Sequence, residues 1–236
     1  MSLDCPCESP SAPAIVCTVD VVLLTLKDSA LHVALQQRKH APFAGQWALP
    51  GGYIHAQEDA TAWDAAARVL KEKTGLLSPY LEQLATYSGA QRDPRGWSVS
   101  LVYYALVMQD ALAPAEGLAL VPVDAVAQGH PPLAFDHANM IALAVSRVRS
   151  KSQYSSLPLY LCGESVTLPH LQTVYEAVLG ESINKVSFRR KMQELDVLEP
   201  IAGQMQAGAA HRPAQVYRLK KEFQRELSLV ARGINA

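Results

Sequence analysis

Residues 52–76 read GYIHAQEDATAWDAAARVLKEKTGL, and they carry the most informative pattern in the first part of the chain. It opens on a glycine, and residues 60–73 contain neither glycine nor proline. Apolar side chains recur there at helical intervals, at Ala62, Ala66, Val69 and Leu70. Gly75 follows, and glycine is the usual residue just past the last turn of a helix. The stretch therefore predicts a glycine loop followed by a helix over residues 60–73.

This loop and helix resemble the box of the Nudix hydrolases, in which a glycine loop precedes a helix ending in Arg-Glu-apolar-x-Glu-Glu-x-Gly. Aligned at its end, the match retains Arg68, Leu70, Glu72, Gly75 and Leu76. Val69 and Lys73 stand where the pattern has glutamates. Nine residues separate Glu58 from Arg68, two more than in the family pattern. The resemblance implies a Nudix-type fold with a damaged catalytic motif.

The substitutions matter because residues i, i+3 and i+4 share one face of a helix, so the family presents three carboxylates to one site. In this chain that face carries Val69, Glu72 and Lys73. Magnesium prefers hard oxygen ligands, and one carboxylate beside an ammonium group is a poor cage for it. We therefore expect no catalytic residue, no metal site, and a pocket that binds an anion without cleaving it.

Other patterns complete the first domain. Residues 15–26 and 31–37 predict a hairpin, residues 84–88 and 98–108 predict strands, and residues 136–150 predict an amphipathic helix. With the box, they indicate a Nudix-type α/β/α sandwich with a mixed sheet over residues 14–152. We expect a disordered tail over residues 1–13 and a short polar linker within residues 150–156.

Several side chains of this domain are candidates for ligand binding. The set comprises Arg38, Gly51, Gly52, Glu58, Arg68, Glu72, Lys73, Arg92, Asp93, Arg95, Asp136 and His137. Arginine suits anionic groups, and glycine permits close backbone approach to a ligand. Structural roles remain open for some of them, since Glu58 and Arg68 can form an ion pair bracing the loop, and Asp136 can cap a helix.

The last part of the chain has a different pattern. Residues 168–179 and 185–195 predict two helices, the turn at residues 180–184 fits a helix-turn-helix, and residues 214–219 predict a strand. Residues 182–193 carry four cations and no acid, and residues 200–221 are also free of acids. We predict a winged helix over residues 157–232 whose DNA contacts are Lys185, Ser187, Arg189, Arg190, Lys191, Arg212 and Gln215.

Net charge separates the two parts. Before Tyr154 there are 11 Lys and Arg against 14 Asp and Glu, a net charge of −3, whereas from Tyr154 onward there are 10 against 8, a net charge of +2. The pI of about 6.6 gives the whole chain no general attraction for nucleic acid. Local basic clusters can still neutralise phosphates and read base edges.

Taken together, the motifs resemble the Nudix-related transcriptional regulators of NAD metabolism, the NrtR family. The segments that carry this likeness are Arg92–Val99, Pro132–His137, Ser187–Lys191 and Arg212–Ala214, in that order. The resemblance implies an α+β chain that acts as a homodimeric repressor of NAD biosynthesis or salvage genes. It also implies binding to a palindromic double-stranded operator, release by ADP-ribose, no required cofactor and no membrane partner.

Two other functions are compatible with the residues. The first is an active magnesium-dependent ADP-ribose or nucleotide pyrophosphatase, in which a displaced carboxylate such as Glu82 replaces a lost glutamate. The second is a scaffold whose basic helix meets an acidic protein. The cysteines are Cys5, Cys7, Cys17 and Cys162, without a second pair at metal spacing or a secretory segment, so we expect a cytoplasmic protein with reduced thiols.

Overall fold

The computed structural model describes residues 15–76, 80–112, 116–206 and 213–223; the tail predicted at residues 1–13 lies outside them. The first element is the predicted hairpin, formed by strands β1 (Val16–Lys27) and β2 (Ala30–Gln37). Asp28 and Ser29 form its turn, with φ values of 50° and 59°. Both values are left-handed, which a two-residue turn requires to match the twist of its strands.

A mixed sheet is built around β1. The further elements of this part are β3 (Trp47–Ala48), β4 (Gly51–Tyr53), α1 (Ala62–Thr74), β5 (Leu81–Gly89), β6 (Ser98–Leu106), β7 (Leu118–Pro122), α2 (Val123–Ala127) and α3 (His137–Ser152). The sheet order is β3-β2-β1-β6-β5, with β4 also paired to β1 and β7 to β2. β1 and β6 run parallel, whereas β1 and β2 are antiparallel, so the sheet is mixed as predicted.

Helices cover both faces of this sheet. On one face α1 buries Ala65, Val69 and Leu70 against a cluster that contains Tyr103. On the other face α3 packs its apolar side chains into the cluster that contains Tyr104. Successive strand residues point to opposite faces, which is why the adjacent tyrosines belong to different cores. The predicted α/β/α sandwich is confirmed.

Local chemistry sets the ends of α1. Thr61 is its N-cap: the Thr61 hydroxyl accepts from the backbone N–H of Asp64, and the Asp64 carboxylate accepts from that of Thr61. This reciprocal capping box satisfies N–H groups that have no partner within the helix. Gly75 ends the helix at φ 75°, and its N–H donates to the carbonyl of Lys71. The helix therefore begins two residues later than the sequence indicates, because Thr61 caps it.

The junction after α3 differs from the expected polar linker. α3 continues to Ser152, and Ser152, Ser155 and Ser156 are buried. The Ser155 hydroxyl donates to the carbonyl of Lys151 at 2.6 Å, and a short 3-10 helix follows (Leu157–Leu161). Serines of this segment thus lie inside the molecule, and the domain limits 14–152 and 157–232 stay predictions.

The C-terminal elements form a winged helix-turn-helix. They are β8 (Ser165–Thr167), α4 (Leu168–Leu179), α5 (Lys185–Leu195), β9 (Leu198–Gln206) and β10 (Ala214–Leu219). The three strands pair antiparallel in the order β8-β10-β9. The predicted bounds of α4, α5 and β10 are confirmed. The sequence patterns do not predict β9, whose strand form comes from pairing with β10. Within the described ranges, no helix is long and apolar enough to cross a bilayer.

Candidate functional site

A cleft of about 420 Å³ opens where β1 meets strand β4, which contains Gly51 and Gly52. It brings together seven of the predicted ligand-binding residues, namely Arg38, Gly51, Gly52, Arg92, Asp93, Arg95 and His137. Its lining also includes Asp20, Tyr53 and Phe135, which sequence reasoning did not single out as ligand contacts. The walls are therefore rich in cations, with aromatic rings beside them.

Gly51 is required by close approach. A Cβ atom at this position would overlap the Asp20 carboxylate and lie 3.0 Å from the carbonyl oxygen of Val19. Asp20 is held there because its Oδ2 accepts a 2.5 Å hydrogen bond from the hydroxyl of Ser100. At Gly52 a Cβ would lie 3.1 Å from Val69. Gly51 and Gly52 thus belong to strand β4 and not to the predicted glycine loop, and they lie against both β1 and α1 at the cleft.

Arg92 is paired with the residue that precedes α3. Its Nε and Nη2 donate to the two carboxylate oxygens of Asp136 at 3.0 and 2.8 Å, and Nη1 donates to the hydroxyl of Ser98 at 3.2 Å. Paired N–H groups matched to a carboxylate form one of the stronger hydrogen-bonding arrangements in proteins. Asp136 is not among the residues lining the cleft, and it reaches the cleft through Arg92.

Arg95 and Asp93 pair within their own loop. The Arg95 Nη2 lies 2.6 Å from Asp93 Oδ2, and this hydrogen bonding holds the pKa of Asp93 below its ordinary value. The Arg95 guanidinium also contacts the hydroxyl of Tyr53 and lies 5.5 Å from the centre of that ring. Tyr53 is half exposed, so its ring is positioned at the edge of the cleft with a cation against it.

Arg38 presents its charge differently. Its Nε donates to the carbonyl of Pro42 at 2.8 Å, and its guanidinium carbon lies 4.7 Å from the centre of the Phe135 ring. Burial lowers the pKa of Arg38, with a further contribution from the charge of Arg95. The Arg38 hydrogen bond goes to a backbone carbonyl and not to a carboxylate, so its guanidinium is placed to bind an anionic ligand.

Two phenylalanines meet at the cleft. The rings of Phe43 and Phe135 pack edge to face, with centroids 4.8 Å apart. Their φ values are 60° and 55°, a left-handed conformation that is unfavourable for bulky side chains. Strained backbone of this kind concentrates at binding sites and switch regions.

His137 is buried behind the cleft. Its Nδ1 accepts the backbone N–H of Leu49 at 2.9 Å, so the ring proton belongs on Nε2, which faces Asp20 Oδ1 at 3.6 Å. Burial lowers the pKa of His137, even though the charge of Asp20 acts in the opposite direction. The ring is therefore neutral and offers an N–H group towards Asp20.

The face of α1 that carries carboxylates in the family is altered in this structure. Val69 is 1% exposed and points into the core under Gly52, while Glu72 is exposed. Glu72 and Lys73 line a second cleft of about 320 Å³, which shares Arg38, His40 and Gly51 with the first. Across the described residues, no three His, Cys, Asp or Glu side chains converge as metal ligands. On this face Glu72 is the remaining carboxylate, and Val69 and Lys73 stand where the family pattern has the two other glutamates.

The partner of Arg68 corrects one expectation. Arg68 donates from Nε and Nη2 to the two oxygens of Asp59, each at 2.8 Å. Glu58 is exposed and lies 3.3 Å from the ring of His55. The expected ion pair that braces the loop therefore exists, but Arg68 forms it with Asp59 and not with Glu58. Neither Glu58 nor Arg68 lines the first cleft. Asp59 is separated from Arg68 by eight residues, closer to the family spacing, and this was the available signal.

Glu82 does not lie near Glu72. Its carboxylate is 2.5 Å from the ammonium of Lys151 in α3, and it accepts from the hydroxyl of Tyr80. In the sheet Glu82 stands opposite Tyr104, whose ring belongs to the core on the α3 side. Because α1 packs on the other face, Glu82 is on the wrong side of the sheet to replace a lost glutamate.

The second predicted site is the outer face of α5. Asn184 caps this helix, its side-chain oxygen accepting the N–H groups of Val186 and Ser187. Phe188, Met192 and Leu195 are buried, as the sequence pattern predicts. The exposed cations are Lys185, Arg189 and Arg190, with Val186 77% exposed and Ser187 partly exposed beside them. The helix thus presents a basic face to its surroundings.

Two predicted DNA contacts have other partners. Lys191 is only 2% exposed, and its ammonium lies 3.1 Å from Glu194, because its position falls on the inner side of α5. The side-chain amide of Gln215 donates to the carbonyls of Ile201 and Gln204, which ties β10 to β9. Arg212 lies outside the described residues.

Comparisons with known proteins identify the family of each part of the chain. Residues 17–144 match the NUDIX domain family, and residues 158–219 match the NrtR DNA-binding winged helix domain. The "ADPR responsive transcriptional repressor NtrR" of Acinetobacter baylyi is 39% identical over 210 residues, which cover 87% of this chain and 82% of that protein. An ADP-ribose pyrophosphatase of Methanocaldococcus jannaschii is 36% identical over 109 residues, covering 46% of this chain and 63% of that protein.

Solved structures are similar over most of the chain. Shewanella oneidensis NrtR complexed with a 27mer DNA has a TM-score of 0.83 and 39% sequence identity, covering 92% of this chain and 98% of that one. The Nudix domain of the same protein complexed with ADP ribose has a TM-score of 0.53 and 40% identity, covering 59% of this chain and 92% of that one.

Proposed function

Because the chain belongs to the NrtR family, in which a Nudix domain precedes a winged helix, we propose that it is a DNA-binding transcriptional repressor released from its operator by ADP-ribose. The proposed targets are genes of NAD biosynthesis or salvage. The observation that carries the proposal is the combination, in one chain, of an exposed basic α5 and a cationic cleft whose helix lacks two of the catalytic glutamates.

The DNA-binding half of the proposal rests on α5. Its cations Lys185, Arg189 and Arg190 project from a helix whose opposite side is anchored by Phe188 in the core. An α-helix of this kind fits the major groove, where arginine can pair with guanine and lysine can contact phosphate. One such helix covers few base pairs, so we propose a homodimer on a palindromic operator.

The effector half rests on the two adjoining clefts. Volumes of about 420 and 320 Å³ lie within the range of small-molecule sites. Arg38 lines both, and Lys73 lines the second, so cations are available to the pyrophosphate of an ADP-ribose molecule that extends across them. Arg68 and Asp59, which form the ion pair beside Tyr53, act in this proposal as support for the site, whereas Glu58 is exposed and has no part in it.

We also propose that the bound nucleotide is not hydrolysed. Lys73 places an ammonium group where a hydrolase has a glutamate for its cation, and Val69 removes a second carboxylate from the site altogether. Binding would then need no divalent ion, since the positive charge comes from side chains. The competing hypothesis of a pyrophosphatase predicts AMP release from ADP-ribose with magnesium.

The test titrates the purified protein onto DNA from upstream of its own gene and neighbouring genes, in a gel-shift assay with and without ADP-ribose. We expect a specific complex that ADP-ribose dissociates, equally well with magnesium or with EDTA. AMP and ribose 5-phosphate serve as controls that each carry half of the ligand. Chromatography of the same mixtures monitors AMP. Turnover at an enzyme's rate, or equal affinity for unrelated DNA, contradicts the proposal.

A further inference from the structure

α3 begins in the first cleft, which is the proposed effector cleft. Asp136, just before the helix, accepts both parallel hydrogen bonds of Arg92, and His137 is its first residue. Arg92 is 10% exposed and Asp136 20% exposed, so this ion pair is largely shielded from solvent. An anionic group that binds Arg92 must compete with the carboxylate of Asp136. Occupancy of the cleft therefore acts directly on the N-terminal end of α3.

The residue before this ion pair is strained. Phe135 has a φ of 55° and packs against Phe43 and Arg38 at the cleft wall. A bulky residue held in the left-handed region persists only where its surroundings enforce it. When a ligand displaces these neighbours, the backbone entering α3 has a lower-energy conformation to adopt. The helix entrance is thus able to switch.

The helix is built to move as one body. It spans 16 residues, which corresponds to about 24 Å along its axis. Met140, Ile141, Ala144 and Val148 form its buried stripe against the sheet. Close-packed helices shift as units between discrete positions rather than deform continuously. A displacement at His137 is therefore transmitted to the far end near Ser152.

At that far end α3 contacts the helix-turn-helix. Nε of Arg149 donates to the carbonyl of Val178 in the last turn of α4 at 3.4 Å. A guanidinium nitrogen of Arg149 also lies 3.9 Å from the position that a Cβ on Gly180 would occupy. A cation at a helix C-terminus interacts favourably with its free carbonyls. Arg149 thus fixes the end of α4 and the turn that leads to α5.

A second connection runs through the core. The carbonyl of Lys151 accepts the hydroxyl of Ser155 at 2.6 Å, and the carbonyl of Ser155 accepts the hydroxyl of Tyr175 at 2.8 Å. The Tyr175 ring meets the ring of Phe188 edge to face, with centroids 5.3 Å apart. Phe188 belongs to α5, so a continuous path of contacts joins the effector cleft to the basic face.

We infer that the Arg92–Asp136 ion pair is the contact that the effector breaks when it binds. Arg149 and Tyr175 are then positioning residues, through which α3 sets the orientation of α5. This inference rests on the proposed function. An anionic group of the effector takes Arg92 from Asp136, α3 shifts, and the two connections carry the shift to the helix-turn-helix. Coupling of this kind is reciprocal, so DNA also weakens effector binding.

The chain supplies a matched control for Arg149. Arg147 and Arg149 lie on the same helix, are each 41% exposed, and are each 4.0 Å from one acid. The experiment measures operator affinity with and without ADP-ribose for Arg149→Ala and Arg147→Ala. In the unmodified protein the ratio of the two affinities should be about 5 to 150. Arg149→Ala should bring this ratio several-fold closer to unity, and Arg147→Ala should leave it unchanged.

Tyr175→Phe is the second variant, because it removes one hydroxyl and leaves the aromatic packing in place. Tyr175→Phe should also reduce the ratio of operator affinities measured without and with ADP-ribose. Calorimetry checks that ADP-ribose still binds to it. Thermal unfolding verifies that Arg149→Ala and Tyr175→Phe are folded. Unchanged ratios in Arg149→Ala and Tyr175→Phe, with a normal ratio in the unmodified protein, overturn this inference alone. If the unmodified protein itself ignores ADP-ribose, the proposed function fails.

Discussion

Glu58 and Asp59 are adjacent acids, and the fold gives them opposite environments. Asp59 accepts two hydrogen bonds from Arg68 and one from the backbone N–H of His55, while Glu58 extends into solvent. The hydrogen bonds from Arg68 are the main cause that lowers the pKa of Asp59 from an ordinary 3.8 to about 2. Sequence spacing identifies an acid in this loop, but only the turn at residues 55–59 selects which one faces Arg68.

Asp59→Asn should lower the melting temperature at pH 7. The folded form holds the Asp59 proton less tightly than the unfolded form, so the ion pair stabilises the protein above pH 4 and the stabilisation is lost as the pH falls towards 2. The difference in melting temperature between Asp59→Asn and the unmodified protein should therefore shrink over this window. Glu58→Gln is the control. An equal effect of Glu58→Gln would contradict the assignment.

Within helix α5, the structure confirms the predicted buried stripe and also shows which cations beside it are buried. Its buried stripe follows from the spacing of Phe188, Met192 and Leu195. The same pattern does not say which flanking cations turn inward. Lys191 lies next to Met192 and is covered, its charge satisfied by Glu194, whereas Arg190 stays 61% exposed although it is 3.8 Å from that same acid.

Arg190 and Lys191 should therefore respond differently to substitution. Arg190→Ala should weaken operator binding by about 1 to 3 kcal/mol if the side chain reads a base, or reduce the salt dependence by about one unit if it contacts phosphate. Lys191→Met, which keeps the buried stem and removes the charge, should leave operator affinity within about twofold of the unmodified protein. Fluorescence anisotropy at several salt concentrations measures both. A larger loss of operator affinity in Lys191→Met would show that Lys191 contacts the DNA after all.

At the scale of the whole molecule, one hydrophobic cluster crosses both predicted domains. Val22 and Tyr104 of the sheet belong to it together with Leu171 and Phe188 of the helix-turn-helix. Ser155, one of the buried serines after α3, accepts a hydrogen bond at its carbonyl from Tyr175, which belongs to this cluster. Domains that share a continuous core unfold together, so ligand binding in the first should stabilise the second.

The full chain should therefore unfold in a single transition, and ADP-ribose should raise the temperature of that transition. At a free concentration of about 100 times its Kd, the ligand increases the free energy of unfolding by about 2.7 kcal/mol. For a chain of this size that corresponds to an increase of about 5 to 10 °C in Tm. Calorimetry measures the transition, and AMP serves as the control ligand. Two separate transitions, of which ADP-ribose shifts only one, would contradict the shared core.

The amino-acid sequence alone predicts the succession of elements, the Nudix-like motif that ends in helix α1, and the basic helix-turn-helix. These follow from periodicity, caps and motifs, which are local in the chain. The three-dimensional structure is needed to see that Asp59 pairs with Arg68 and that Glu82 lies on the opposite face of the sheet from α1. It is also needed to see that Lys191 and the junction serines are buried. The pairing of Asp59 depends on the turn at residues 55–59. The other three depend on how elements pack in three dimensions, because packing sets burial and the choice of partner, and local spacing does not specify it.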